Sequence, residues 1–253
     1  FAGFPVFLWV FFCSNLIWLG FEAFNFRLQN WYYLSVSHED WLRWPGYLLA
    51  FGTVLPAIFE TEKFLQHHKV FSGLRGPRLR VDSGLRNRLA VLGTILAAAA
   101  LLRPDLFFPA IWLAFCFLPE PFLLRWQEGH HSFLAQIASG NYERLARTLA
   151  AGLICGILWE FWNYWAGSKW VYSLPYFEFG KIFEMPILGY MGFPFFAVEC
   201  FLLYAFLGRI GERLRSRGRV AATAGWVCAL LFMFWAIAGI DRWTVVSFKA
   251  IFQ

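Results

Sequence analysis

Charge is what this chain has least of. Only 15% of its 253 residues are Asp, Glu, Lys or Arg, against about 25% in an ordinary soluble domain. Aspartate occurs only at Asp40, Asp82, Asp105 and Asp241, which argues against the aspartate-rich diphosphate motif of a prenyl-diphosphate transferase. The chain has no G-x-G-x-x-G, no P-loop and no G-x-S-x-G, so nothing points to dinucleotide, nucleotide triphosphate or α/β-hydrolase chemistry. The five cysteines all lie in apolar runs and form no C-x-x-C, which reads as small buried apolar side chains rather than a redox or zinc site. Histidine is also scarce. His67-His68 and His130-His131 each follow a proline, Pro56 or Pro119, at the same spacing. With Glu60, Glu62, Glu120 and Glu128 nearby, a metal or haem site is conceivable, but a histidine-rich di-iron centre needs more histidines. Solvated loop histidines are the plainer reading, and no metal or cofactor is expected.

What fills the space is apolar: 59% hydrophobic residues and a mean hydropathy of +0.52. The excess is grouped in long runs, of which Val220–Ile240 is free of charge and long enough to cross a hydrocarbon core of about 30 Å. Backbone polar groups must pair internally there, so such runs predict helices, and no strict alternation suggests a barrel. The expected fold class is all-α, a polytopic integral membrane bundle forming a single transmembrane domain over 1–253. About seven spans are expected, at roughly 4–22, 45–61, 89–102, 106–124, 146–165, 186–207 and 220–240. The first run lacks an A-x-A site followed by a soluble domain and is expected to be a retained span. Spans 89–102 and 106–124 are the short and proline-broken ones, for which a re-entrant or tilted pair is an alternative.

Basic residues set the expected orientation. Loops 62–88 and 208–219, with Arg125, Arg144 and Arg147, hold fifteen of the 22 Lys and Arg, all on one side of a seven-span chain. The positive-inside rule puts that side and the amino terminus in the cytoplasm of a multi-pass protein of the cell (inner) membrane. The net charge of +6 then suits an acidic lipid bilayer rather than nucleic acid.

Two stretches repeat one another. Glu22, Asn25, Trp31, Tyr33 and Glu60 are followed at shifts of 138 or 139 residues by Glu160, Asn163, Trp170, Tyr172 and Glu199. A parallel internal repeat of two three-helix halves, 1–102 and 146–240, linked by span 106–124, would explain this. Parallel repeats commonly build a site at their interface.

Acids inside spans are costly, which makes Glu199, Glu160, Glu60 and Glu22 functional candidates. Glu160 and Asn163 share a helix face, continued backwards by Gly152 and Gly156, and Asn15, Trp18, Glu22 and Asn25 form a similar stripe. Interhelical polar glue is the competing explanation. Trp159, Trp170, Tyr172, Tyr190 and Phe196 lie around these acids; some belong to an interfacial belt, but aromatic faces also stabilise cations. A carboxylic acid in an apolar aromatic pocket keeps its proton and becomes a usable acid. Together they form a kit for protonating an alkene.

Trp159-Glu160, Gly167, Trp170-Val171-Tyr172, Ile187-Leu188-Gly189, Phe193-Pro194 and Glu199 resemble the membrane-embedded, non-flavin lycopene cyclases of carotenoid biosynthesis, with a fainter copy over 15–65. The resemblance implies two three-span halves and a cofactor-independent isomerase acting on a polyisoprenoid or carotenoid by acid-initiated cyclisation or hydration. It makes Glu199 the proton donor, supported by Glu160 and Glu60, with Glu22, Asn25, Asn163 and the aromatics binding substrate. The alternative, from a different class, is a non-catalytic membrane subunit binding quinone, carotenoid or lipid among membrane-protein partners.

Overall fold

The computed structural model describes residues 3–126, 131–176 and 178–246. Among the described residues, seven helical segments are long and apolar enough to cross a bilayer: Phe4–Leu28, Asp40–His67, Ser83–Leu102, Pro104–Arg125, Glu143–Trp165, Ile187–Ser216 and Arg219–Trp243. The chain is a helical multi-pass membrane protein. Leu230, Leu231, Phe234 and Trp235 on the last segment are exposed at the protein surface, where a hydrocarbon solvent accommodates them.

The helices are α1 (Phe4–Leu28), α2 (Asp40–Gly52), α3 (Val54–His67), α4 (Ser83–Leu102), α5 (Pro104–Phe107), α6 (Ile111–Phe117), α7 (Glu120–Arg125), α8 (Phe133–Ala138), α9 (Glu143–Trp165), α10 (Gly192–Ser216) and α11 (Arg219–Trp243). The third span is longer than its hydropathy predicts. Asp82 caps it by accepting the Leu85 N–H at 2.8 Å, so the helix begins with a charged turn carrying Arg86 and Arg88 ahead of the apolar run. The fourth is broken by Pro104, Pro109, Pro119 and Pro121, since proline cannot donate within a helix.

Two compact units divide the chain. The first comprises Phe1–Pro56, Ile157–Gly189 and Gly208–Gln253, in which α1 packs on α2 and α11. The break between α2 and α3 has an identifiable cause. The Ser14 hydroxyl donates to the Phe51 carbonyl at 2.5 Å and accepts the Leu55 N–H at 3.0 Å, standing where the helical bond between those two groups would run. The same unit holds what hydropathy does not show, a short antiparallel ribbon of β1 (Trp31–Leu34) and β2 (Lys169–Tyr172). Its register pairs Trp31 with Tyr172 and Tyr33 with Trp170.

The second unit comprises Ala57–Gly156 and Tyr190–Leu207. Leu123, Phe133, Val198, Phe201 and Leu202 form its buried core with Cys116. The predicted small-residue stripe on α9 serves close approach: a β-carbon on Gly152 would stand 2.3 Å from the Phe193 carbonyl oxygen, and one on Gly156 2.2 Å from the Phe193 ring. Glu120 is buried, accepting the Phe133 and Leu134 N–H groups at 2.8 and 3.2 Å and the Ser132 hydroxyl at 2.5 Å. It satisfies the orphan donors at the start of α8.

Candidate functional site: two acid and aromatic boxes

Glu22 lies on the last two turns of α1 and is fully buried. Its Oε1 accepts the indole N–H of Trp18 at 2.9 Å, that of Trp31 at 3.0 Å and the Tyr33 hydroxyl at 2.5 Å. Trp18 reaches it because residues four apart share a helix face. Trp31 and Tyr33 reach it because residues two apart share a strand face. Asn25, one turn on, bonds the chain as it leaves the helix. Its Nδ2 donates to the Trp31 carbonyl at 2.8 Å, and its Oδ1 accepts the N–H of Asn30 at 2.8 Å and of Trp31 at 3.3 Å. Gln29 adopts a left-handed conformation (φ 54°), which ends the helix and turns the chain into β1. Phe51 and Tyr47 stack beside this cage with ring centroids 5.7 Å apart. Burial, followed by the neighbouring Glu22 charge, pushes the Tyr33 hydroxyl well above its ordinary pKa.

The second box repeats the first. Glu160, also fully buried, accepts at Oε1 the Tyr172 hydroxyl at 2.7 Å and the Trp170 indole N–H at 3.3 Å. Asn163 donates from Nδ2 to the Trp170 carbonyl at 2.8 Å and accepts the Trp170 N–H at 2.9 Å. The β1–β2 register puts Trp31, Tyr33, Trp170 and Tyr172 on one face of the ribbon, because directly opposed residues in an antiparallel pair point the same way. Both acids therefore hang from a single four-ring surface. In each, Oε2 is buried without a hydrogen-bond partner. Each acid is thus gripped by one oxygen, while the other is buried and unpartnered.

The remaining candidates lie elsewhere. Glu199 is buried in α10, where the fourth span holds it. Its Oε1 accepts the Phe115 N–H at 3.2 Å and its Oε2 is unpartnered. Glu60, predicted to support a buried site, sits instead on an exposed face, bonded to Lys63 at 2.9 Å. The i, i+3 spacing of those two residues brings them together on one helix face. Phe196 is buried with its ring 6.0 Å from that of Trp112. Tyr190 is half-buried, 5.9 Å from the Phe193 ring, and Trp159 is half-buried on α9. A cavity of about 190 Å³ in the second unit is lined by Cys116, Glu120, Phe133 and Leu202, among others, rather than by Trp159, Tyr190 and Phe196. His67 and His68 are exposed, His131 is half-buried, and His130 lies outside the described residues. Among the described residues no cluster of three or more His, Cys, Asp or Glu side chains is placed to hold a metal.

One constellation escaped the sequence. Arg43 grips Asp241 through Nε and Nη2 at 2.9 and 2.8 Å, and Asp241 also accepts from Trp44 at 2.8 Å and Tyr47 at 3.1 Å. Arg43 further bonds Asp40 and the carbonyls of Ser37 and His38. The only signal was a solitary arginine and a solitary aspartate, each at a span end 198 residues from the other. The fork matches a carboxylate bidentately and ties α11 to α2 beside the first box. No family model, curated protein or solved structure matches the chain.

Proposed function

We propose that the protein binds a polyisoprenoid or carotenoid within the membrane and performs acid-initiated chemistry on an end group, as the resemblance to the membrane-embedded lycopene cyclases implies, and that the acid is Glu160 rather than the Glu199 to which the resemblance points. One observation carries the reading. A fully buried carboxyl is held at one oxygen by Tyr172 and Trp170, while its other oxygen has no partner. An acid so held presents a fixed Oε2 among aromatic faces that stabilise a cation. The step is balanced: the Oε2–H bond breaks as a C–H bond forms on a terminal alkene, leaving a tertiary carbocation and a carboxylate. Attack by the neighbouring double bond closes a ring, and loss of a proton to the carboxylate restores the acid. The product is an isomer, so no redox cofactor is required. Glu22, closed in by three donors, anchors the ribbon, and Glu199 fixes span four.

The recurrence of the same hydrogen-bond set in both boxes supports two like-directed halves, 1–102 and 146–240, joined by span 106–124. The distribution of basic residues supports insertion in the cell membrane with a cytoplasmic amino terminus. Reporters fused within 75–88 should then read cytoplasmic and within 169–182 external; the reverse result overturns the orientation.

The activity test is expression of the wild type, Glu160→Gln and Glu22→Gln in a bacterial host that accumulates lycopene, with pigments resolved by chromatography. Wild type should yield a cyclised isomer. Glu160→Gln should yield none while still co-purifying with lycopene, and Glu22→Gln should retain turnover. Lycopene that co-purifies with the wild type unchanged would support the non-catalytic binding subunit instead. Lycopene that neither binds nor reacts would refute both.

A further inference from the structure

Independently of the isoprenoid reading, the geometry points to an oxyanion site for a phosphate headgroup in the second unit, in a cavity between α3, the first turns of α9, and α10. The cavity encloses about 140 Å³ and is lined by Lys63, His131, Arg144, Thr148 and Tyr204, with Phe59 and Phe201 among its apolar residues.

Two observations carry it. The first is charge. Glu62 is the acid on the lining, and Arg147 already matches it with an ion pair of 2.8 Å in which both side chains are largely buried. Lys63, whose charge Glu60 meets at 2.9 Å, and Arg144 line the same space, and the Arg144 guanidinium lies 4.0 Å over the Phe201 ring, which fixes its plane. A planar donor fork held against a wall is suited to phosphate oxygens. The second is Thr148. It is 2% exposed, it lines the cavity, and its hydroxyl has no hydrogen-bond partner. A threonine inside a helix ordinarily bonds the carbonyl one turn back. A buried hydroxyl that does not is destabilising unless something in the cavity completes it.

The volume selects the ligand. It falls below the roughly 300–1,000 Å³ of a site that encloses a whole small molecule. It suits a tetrahedral oxyanion whose attached chain lies outside, against the apolar side chains. A phosphate monoester on a lipid and free inorganic phosphate share this chemistry.

The test is native mass spectrometry of the detergent-solubilised full chain, titrated separately with phosphatidic acid, phosphatidylcholine and inorganic phosphate. Phosphatidic acid should bind at least tenfold more tightly than phosphatidylcholine. Arg144→Gln should weaken it about tenfold, while Arg144→Lys restores part of the loss. Thr148→Val keeps the shape and removes only the hydroxyl. It should leave the empty protein as stable as wild type, or more so, yet weaken phosphatidic acid about threefold. Retention of inorganic phosphate alone, with the same sensitivity to both variants, would assign the site to the soluble ion. Binding of either ligand unchanged in Arg144→Gln and Thr148→Val, or no preference over phosphatidylcholine, would overturn the proposal.

Discussion

The two boxes use the same four residue types and differ in closure. Around Glu22 the ribbon residues are sealed, Trp31 at 5% and Tyr33 at 7% exposed, whereas every residue of β2 beside Glu160 is half-buried. The acid of the first box takes three side-chain donors and that of the second takes two. The missing donor has a simple origin. Four residues before Glu22 stands Trp18, but four residues before Glu160 stands Gly156, a position given over to close packing against Phe193. Glu22 is thus closed in by a third side-chain donor, while the position that could supply one to Glu160 is taken up by packing against Phe193. That asymmetry favours Glu160 over Glu22 as the acid of the proposed reaction.

Removing the asparagines should give the largest contrast. Asn25→Ala leaves the Asn30 and Trp31 N–H groups and the Trp31 carbonyl without their side-chain partner in a sealed site. The loss should be about 3–4 kcal/mol, taking roughly 1–3 kcal/mol per orphaned group with partial relaxation. Asn163→Ala strips two bonds from a half-buried segment that water can reach, and should cost about 1–2 kcal/mol. Unfolding followed by circular dichroism in detergent reads both. Equal losses would mean that the boxes are equally closed and that the comparison fails.

Next in size is the clasp behind the first box. Asp241→Asn removes the charge that Arg43 is built around and should cost about 2–3 kcal/mol, less than a fully buried pair because Asp241 is part-exposed. Since Tyr47 bonds Asp241 and packs 6.0 Å from Tyr33, the loss should be non-additive with Tyr33→Phe and additive with Tyr172→Phe. Gly156→Ala should follow, at about 1–3 kcal/mol, because the new methyl meets the Phe193 ring. A neutral effect there would show that the second box could have kept a larger residue, removing the stated reason for its missing donor.

Much of this was legible in the sequence, and what was not has physical reasons. Hydropathy found the spans because a hydrocarbon solvent leaves backbone groups no alternative to helix. The Glu-x-x-Asn and Trp-x-Tyr spacings identified the members of each box. The ribbon itself was hidden, because four-residue strands rich in Trp and Tyr look like an interfacial aromatic belt. The pairing of Glu60 with Lys63 was not visible because a hydropathy window does not register an i, i+3 ion pair. Arg43 with Asp241, and Ser14 with the α2–α3 break, rest on single residues far apart in the chain, which no periodic signal can join.

The smallest contrast is also the sharpest, because it deletes one oxygen from each box. Tyr33→Phe removes a buried donor to Glu22 that two indole N–H groups still back up, and should cost about 1–1.5 kcal/mol. Tyr172→Phe removes a partly exposed donor whose place water can take, and should cost about 0.5 kcal/mol. Alkaline pH separates the two further. The Tyr33 hydroxyl is raised by burial and by Glu22, so the folded chain keeps a proton that the unfolded chain loses above about pH 10. Its contribution is complete below that pH and declines as the pH climbs from there towards the raised folded value. The wild type should therefore lose stability steeply above about pH 10, and Tyr33→Phe should flatten that slope. An equally steep alkaline loss in the Tyr33→Phe protein would show that Tyr33 is not sealed against ionisation. The first box would then be as open as the second, and the reason for placing the chemistry at Glu160 would go with it.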